Sequence, residues 1–315
     1  MDAKEVLAVN PVRYARAPGP NVLAALQDGG PLAFLRSLPA RPAQGIIPSL
    51  RHDVHFREGD VVSVYVGMTR PLRFTVGATT IKVDAASSYR GYAPALFRTW
   101  QAAEWGGIRA AALAYLNRVV VDASWLRAEG VVQDAWSAVS EPWVPIDREA
   151  VIGRAQSGSR EIALVRELRM GLTGRLKALA KGEKVSCEVD QIGVDASGAL
   201  VLAELKDSRA NPVSVYGAPL QVLQYVHEWA LHLPAVTAQV QALVDARAAS
   251  GLAAQALPRL SGRLRPAICF TDDKRSDEVR SRFEEVLAAA NAKLPAGVER
   301  IEVWKMGNGK PERIG

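Results

Sequence analysis

An α/β fold is predicted for this chain, with a mixed sheet in the C-terminal half and a separate α+β region before it. Three observations predict it. Beyond about residue 150 the pattern alternates helix and strand, with helices flanking a sheet. From Arg51 to Asp84, β-branched runs are separated by Gly and Pro turns. The 315 residues are 49% apolar and 23% charged, which is globular composition long enough for two domains. The division is therefore residues 1–150, of unassigned role, and residues 151–315.

The first fifty residues are rich in Pro and Gly and read as irregular, with one short helix over 21–26. Strands follow at 61–66, 72–76 and 79–83, then helical composition over 93–121 and a tryptophan-bearing stretch ending at Trp143. Trp100, Trp105, Trp125, Trp136 and Trp143 read first as core anchors, with a base-stacking surface as the alternative. Pro142, Pro145 and the polar run 156–159 mark the boundary. A helix is then expected from Ser159, its N-cap, to about Ala180, followed by strands at 185–194 and 200–206. Helices at 218–233 and 235–249, strand 266–270, helix 276–290 and strand 300–305 complete the pattern.

Several function classes are disfavoured. No run of about 18 apolar residues can span a bilayer, and the N-terminal residues lack the apolar core of a signal peptide, so the expected address is cytoplasmic, without membrane contact. Cys187 and Cys269, two isolated thiols in strand-like runs, exclude a disulfide framework and read as buried small hydrophobes. His52 and His55 are three apart in a strand-like stretch, where they point to opposite faces, so a shared metal is disfavoured. The net charge of +6 permits a polyanionic partner without demonstrating one.

The informative segment runs from Glu188 to Lys206. Asp195–Gly198 has the composition of a hairpin turn, with Gly198 suited to a left-handed position. A three-residue loop of Ala196, Ser197 and Gly198 sets Val194 against Leu200, Ile192 against Leu202, and Asp190 against Glu204. Two carboxylates then face each other across the ladder, with Cβ atoms roughly 5 Å apart, among aliphatic pairs. Like charges so placed are relieved by a divalent cation, or by a proton on one of them. All-oxygen ligands without Cys or His favour Mg²⁺ or Mn²⁺ over Zn²⁺. Lys206 emerges on the same face as Glu204 and opposite Glu188. It reads either as a partner of Glu188 on a solvated face or as a cation aimed at a metal-bound water and a phosphate. On the helix that follows, Gln221 and Tyr225 are four apart and share a face, although Tyr225 could simply belong to the apolar stripe of Val222, Val226 and Trp229.

Asp190, Glu204-Leu205-Lys206 and the hairpin between them resemble the PD-(D/E)XK nuclease superfamily, and Gln221-Val-Leu-Gln-Tyr225 resembles the QxxxY element of its RecB-like and NucS-like branches. The resemblance covers about residues 159–305. The proline of the superfamily pattern is replaced by Val189. It implies a restriction-endonuclease-like α/β/α core and a Mg²⁺- or Mn²⁺-dependent nuclease acting on nucleic acid, DNA first. An RNA-directed nuclease, or a non-catalytic binding or scaffold protein keeping the fold, is the alternative. Asp190 and Glu204 would bind the metal, joined by the Leu205 backbone carbonyl, and Lys206 would orient or polarise the attacking water. Gln221 and Tyr225 would contact substrate or brace the catalytic residues, and Arg209 could hold a flanking phosphate. Members often add an acidic residue from the helix before the hairpin. Glu161, on the buried stripe of Leu164, Val165, Leu168 and Leu172, fits better than Glu167, which lies beside that stripe between Arg166 and Arg169. A homodimer is left open.

Overall fold

The computed structural model describes residues 14–38, 51–119, 128–152, 162–173, 188–253 and 256–315. Two sheets organise them, one antiparallel and one mixed. After helix α1 (Pro20–Leu26), a five-stranded meander forms from β1 (Asp53–Arg57), β2 (Val61–Val66), β3 (Thr69–Val76), β4 (Thr80–Asp84) and β5 (Thr99–Gln101), with the short α2 (Ser87–Arg90) before β5. Helices α3 (Ile108–Arg118) and α4 (Ala128–Ser137) follow. The second sheet has the order β11-β10-β9-β8-β7-β6. Its members are β6 (Trp143–Ala150), β7 (Val189–Asp195), β8 (Leu200–Lys206), β9 (Leu264–Phe270), β10 (Glu302–Gly307) and β11 (Lys310–Arg313). Helices α5 (Ala163–Thr173), α6 (Pro212–Ala249) and α7 (Asp277–Asn291) connect them.

The β7–β8 hairpin has the expected register: Ile192 faces Leu202 and Val194 faces Leu200. The turn explains why. Gly198 sits at φ +78°, donates its N–H to the Asp195 carbonyl, and approaches Arg259 so closely that a Cβ would meet its carbonyl oxygen at 2.1 Å. The Asp195 carboxylate accepts from the backbone of Ser197 and Ala199, which closes the loop. Strand β8 then runs parallel to β9 through the α6 crossover, and β9 parallel to β10 through α7.

Alternation along β8 and β9 separates two apolar layers. Val201, Ala203, Leu205, Ala267 and Cys269 pack with Val132 and Trp136 of α4. Leu200, Leu202, Ile268 and Phe270 face the other way, into a cluster with Val222 and Val226 of α6 and Phe283 of α7. That cluster is continuous with the core of the first sheet, including Val62, Leu72 and Phe74. Trp136 stacks on Trp143 with ring centroids 5.5 Å apart, and Trp304 meets Trp143 edge-on. All three are buried, as is Trp100, so these four anchor the core, while Trp105 is half-buried and Trp125 lies outside the described residues.

Local reading and structure part company in three places. Residues 143–150, counted with the N-terminal region, form edge strand β6 of the second sheet, pairing with β7. Pro145 sits where the register shifts, so its missing N–H costs no ladder bond. The two helices expected on either side of Pro234 are one helix, α6. Buried Val222, Val226, Trp229, Leu233, Val236, Val240 and Leu243 keep a single stripe in phase across the proline, and that burial outweighs the lost backbone bond. Among the described residues of 93–121 only α3 is α-helical, because Thr99–Gln101 pairs with β4 and buries Trp100.

The sheets are joined through buried charge. Asp147 on β6 accepts from the Tyr14 hydroxyl at 2.6 Å and from Arg57 at 2.8 Å, with Arg16 at 3.4 Å. Arg148 donates to the Gly67 carbonyl at 2.8 Å and lies 4.5 Å from the centre of the Tyr65 ring. Arg247, near the end of α6, donates to the Val54 carbonyl. His55 is buried beside Asp53 and Asp147 in this junction. Among the described residues no group of three or more His, Cys, Asp or Glu is arranged to hold a metal, and no helix is long and apolar enough to cross a membrane. Cys269 is buried, and Cys187 is outside the described residues.

Gly67, in the β2–β3 turn, has φ +53°, and a Cβ there would stand 3.2 Å from the Gly130 Cα of α4. Gly67→Ala is therefore expected to destabilise the fold by about 1–3 kcal/mol, read by denaturant unfolding. A change below about 0.5 kcal/mol would mean that turn and helix part without cost.

Candidate functional site

The hairpin brings Asp190 and Glu204 close: they stand on adjacent strands just past the last pair of the ladder, Gln191 with Ala203, and both line one cavity. Glu204 is 1% exposed. Both of its oxygens are engaged: Oε1 lies 2.5 Å from the Lys206 ammonium, and Oε2 accepts from the Tyr225 hydroxyl at 2.6 Å. Asp190 Oδ2 accepts from the Leu205 backbone N–H at 2.9 Å. Tyr225 is fully buried on the α6 stripe, so it fills the core and reaches the carboxylate at once. Asp190, Glu204, Leu205, Lys206, Gln221 and Tyr225 all line one cavity of about 180 Å³.

Burial shifts the protons here, and the neighbouring charges decide the direction. Burial first, then the Glu204 charge, pushes the Asp190 carboxyl well above the usual carboxylate range. Burial works against the Lys206 ammonium, yet Glu204 and Asp190 outweigh it and hold that group above the ordinary lysine value. Lys206 is thus a cation at neutral pH. Burial and the same two carboxylates raise the Tyr225 hydroxyl, which stays a protonated donor. The site is a compact set of two adjacent acids, one cation and one phenol. It can hold a hard cation or share a proton between the acids.

Asp190→Asn is expected to raise stability in a chelating buffer at neutral pH by roughly 0.5–1 kcal/mol, because the like-charge conflict disappears while Leu205 N–H keeps an acceptor. The sign follows from the raised folded pKa: the conflict is absent below the ordinary carboxylate pKa and grows as pH rises toward the raised value. The gain should therefore vanish in acid. Thermal unfolding at both pH values checks it, and a less stable variant at neutral pH contradicts the conflict.

Other expected residues are placed elsewhere. Arg209 is exposed in the turn after β8, beside Asp207, and does not line the cavity. Its side chain points to solvent because the turn backbone is held by Asp207, which accepts the Arg209 N–H at 3.1 Å. Glu167 is exposed on α5 and borders a different depression, with Glu285 and Lys293. Glu161 and the Ser159 cap lie outside the described residues. The described part of α5 buries Val165 and Leu172, as its stripe predicts.

The remaining walls of the cavity come from before residue 150: Met68 of the β2–β3 turn, and Glu129 and Gln133 of α4. Sequence reasoning did not find them. The one available signal was their spacing of four beside the apolar positions Val132 and Trp136, which shows a helix face but not what that face meets. Comparison of the chain with protein-family models, curated proteins and solved structures found no match.

Proposed function

We propose that this protein is a divalent-metal-dependent nuclease of the PD-(D/E)XK type that hydrolyses phosphodiester bonds of DNA. The observation that carries the reading is Glu204, buried against Asp190 with one oxygen on Lys206 and the other on Tyr225. Its support in the fold is an antiparallel β7–β8 hairpin followed by a helical crossover to parallel β9, with α6 and α7 on one face and α4, from before residue 150, on the other, which suits a restriction-endonuclease-like core. In this reading residues 151–315 with β6 form the catalytic unit, and the preceding region, in a cytoplasmic protein of net positive charge, supplies target choice or regulation.

The donor set fits Mg²⁺ or Mn²⁺: two hard carboxylates, Glu204 buried and Asp190 half-buried, line one cavity, and none of its described lining residues is a Cys or His. Asp190 and Glu204 would hold the ion, with the Leu205 carbonyl as a third oxygen. When bound, such an ion supplies positive charge that acidifies water and polarises a phosphate oxygen. The Tyr225 hydroxyl fixes the Glu204 rotamer. The Leu205 N–H fixes one oxygen of Asp190. Lys206, held charged, places an ammonium where negative charge builds on the phosphoryl group or the attacking water. Gln221, on the same α6 face as Tyr225, lines the approach for substrate.

The test incubates labelled single-stranded, duplex and branched DNA, and RNA, with Mg²⁺, Mn²⁺ or EDTA. DNA cleavage that needs Mg²⁺ or Mn²⁺ and stops in EDTA is expected. Lys206→Met should lower it by about 100-fold. DNA binding without cleavage in either metal would replace the nuclease reading with a binding or scaffold role, and cleavage confined to RNA would change the substrate.

A further inference from the structure

Helix α4 brings to the cavity a polar group whose bonding is incomplete. Gln133 is 4% exposed, and its amide Nε2 is buried without a hydrogen-bond partner. A buried N–H left unpaired is costly. Three other donors at this cavity are already engaged: Lys206 Nζ and Tyr225 OH by Glu204, and Leu205 N–H by Asp190. The acids Asp190, Glu204 and Glu129 face the same space, and none of them takes the Gln133 amide. A ligand that satisfies it must bring an acceptor oxygen of its own.

Buried contacts hold the helix in place. Trp136 is buried and donates from its indole to the Phe270 carbonyl at 3.1 Å, and Val132 packs on β8 and β9. At the other end, Gly130 meets the Gly67 turn, which Arg148 of β6 binds through the Gly67 carbonyl. The first sheet, through this turn, and the second sheet therefore both fix α4, whose Gln133 lines the same cavity as the acid pair. A donor fixed before substrate arrives needs no reorganisation when it binds.

We propose that α4 completes the site, with the Gln133 amide donating a hydrogen bond to a non-bridging oxygen of the bound phosphodiester. The proposal rests on the nuclease reading and extends it: the region before residue 150 supplies a substrate contact within the catalytic cavity itself. Glu129, one turn earlier on the same face, lies at the mouth, and its charge adds to the field that keeps Lys206 protonated.

Gln133→Met keeps length and volume but removes the N–H, and Gln133→Glu replaces a donor with a negative acceptor. Cleavage of labelled DNA in Mg²⁺, affinity for the same DNA in Ca²⁺ by fluorescence anisotropy, and the unfolding temperature are measured for each. Gln133→Met is expected to lose about 10- to 100-fold in cleavage and to bind DNA more weakly, with an unfolding temperature equal to or above wild type. Gln133→Glu should lose more of both. Wild-type cleavage and affinity in Gln133→Met would overturn the contact, as would activity lost together with stability, which marks a structural amide. If the unaltered protein cleaves DNA while Gln133→Met matches it, only this inference falls. If the unaltered protein neither cleaves nor binds DNA, the nuclease reading falls with it.

Discussion

Replacing Glu204 with glutamine is expected to lower metal-dependent DNA cleavage by about 1000-fold or more. The size follows from how many partners this one carboxylate serves. Oε1 holds Lys206 and Oε2 holds Tyr225, so an amide can accept from only one of them and turns its own N–H toward the other. On the proposed metal reading, affinity for the ion should fall as well, since one of the two carboxylates is gone. Lys206 loses the largest of the charges that sustain its ammonium, and Asp190 loses the neighbouring charge that raises its pKa. Single-turnover cleavage and Mg²⁺ titration calorimetry measure these effects side by side. Cleavage within 10-fold of wild type would take Glu204 out of the chemistry. Retained metal affinity with lost cleavage would instead assign it to positioning Lys206.

The largest effect on stability is expected at Asp147, on β6 opposite Ile192 of β7. Asp147→Asn should cost about 3–5 kcal/mol, because it leaves a buried guanidinium without its counter-charge. Asp147 is 1% exposed and is approached by Tyr14 and Arg16 from one segment and Arg57 from another, both far from it in the chain. Burial pushes its carboxyl up, but the Arg57 and Arg16 charges outweigh burial and hold it below the ordinary value. With a depressed folded pKa, the stabilisation is complete above the ordinary carboxylate pKa and is lost as pH falls through the depressed value. The deficit of the variant should thus stay constant from neutral to mildly acidic pH and narrow only in strong acid. Denaturant unfolding across that range decides it. A deficit below about 1 kcal/mol would show that water replaces the lost charge.

The acid pair was readable because every step toward it is local. The Asp195–Gly198 turn sets the loop length, loop length sets the register, and the two-residue period of a strand puts Asp190, Glu204 and Lys206 on one face. Helix α6 adds Gln221 and Tyr225 through its own period. The third wall was not readable by such means. Gln133 and Glu129 follow from a helix face whose partner lies some seventy residues further along, and Met68 from a turn in another sheet. Strand β6 was hidden by Pro142, Pro145 and three charged residues, which read as a linker until Asp147 and Arg148 are seen to find their partners in Tyr14, Arg57 and Gly67.

From sequence alone came the mixed α/β character, the hairpin and its pairing, and the face shared by two acids and a lysine, since backbone period and turn chemistry act over a few residues. Tertiary structure decided that α6 runs unbroken through Pro234, that β6 joins the second sheet, and that α4 with Gln133 closes the cavity. These outcomes depend on buried area and paired charge between distant segments, which no local pattern of residues encodes.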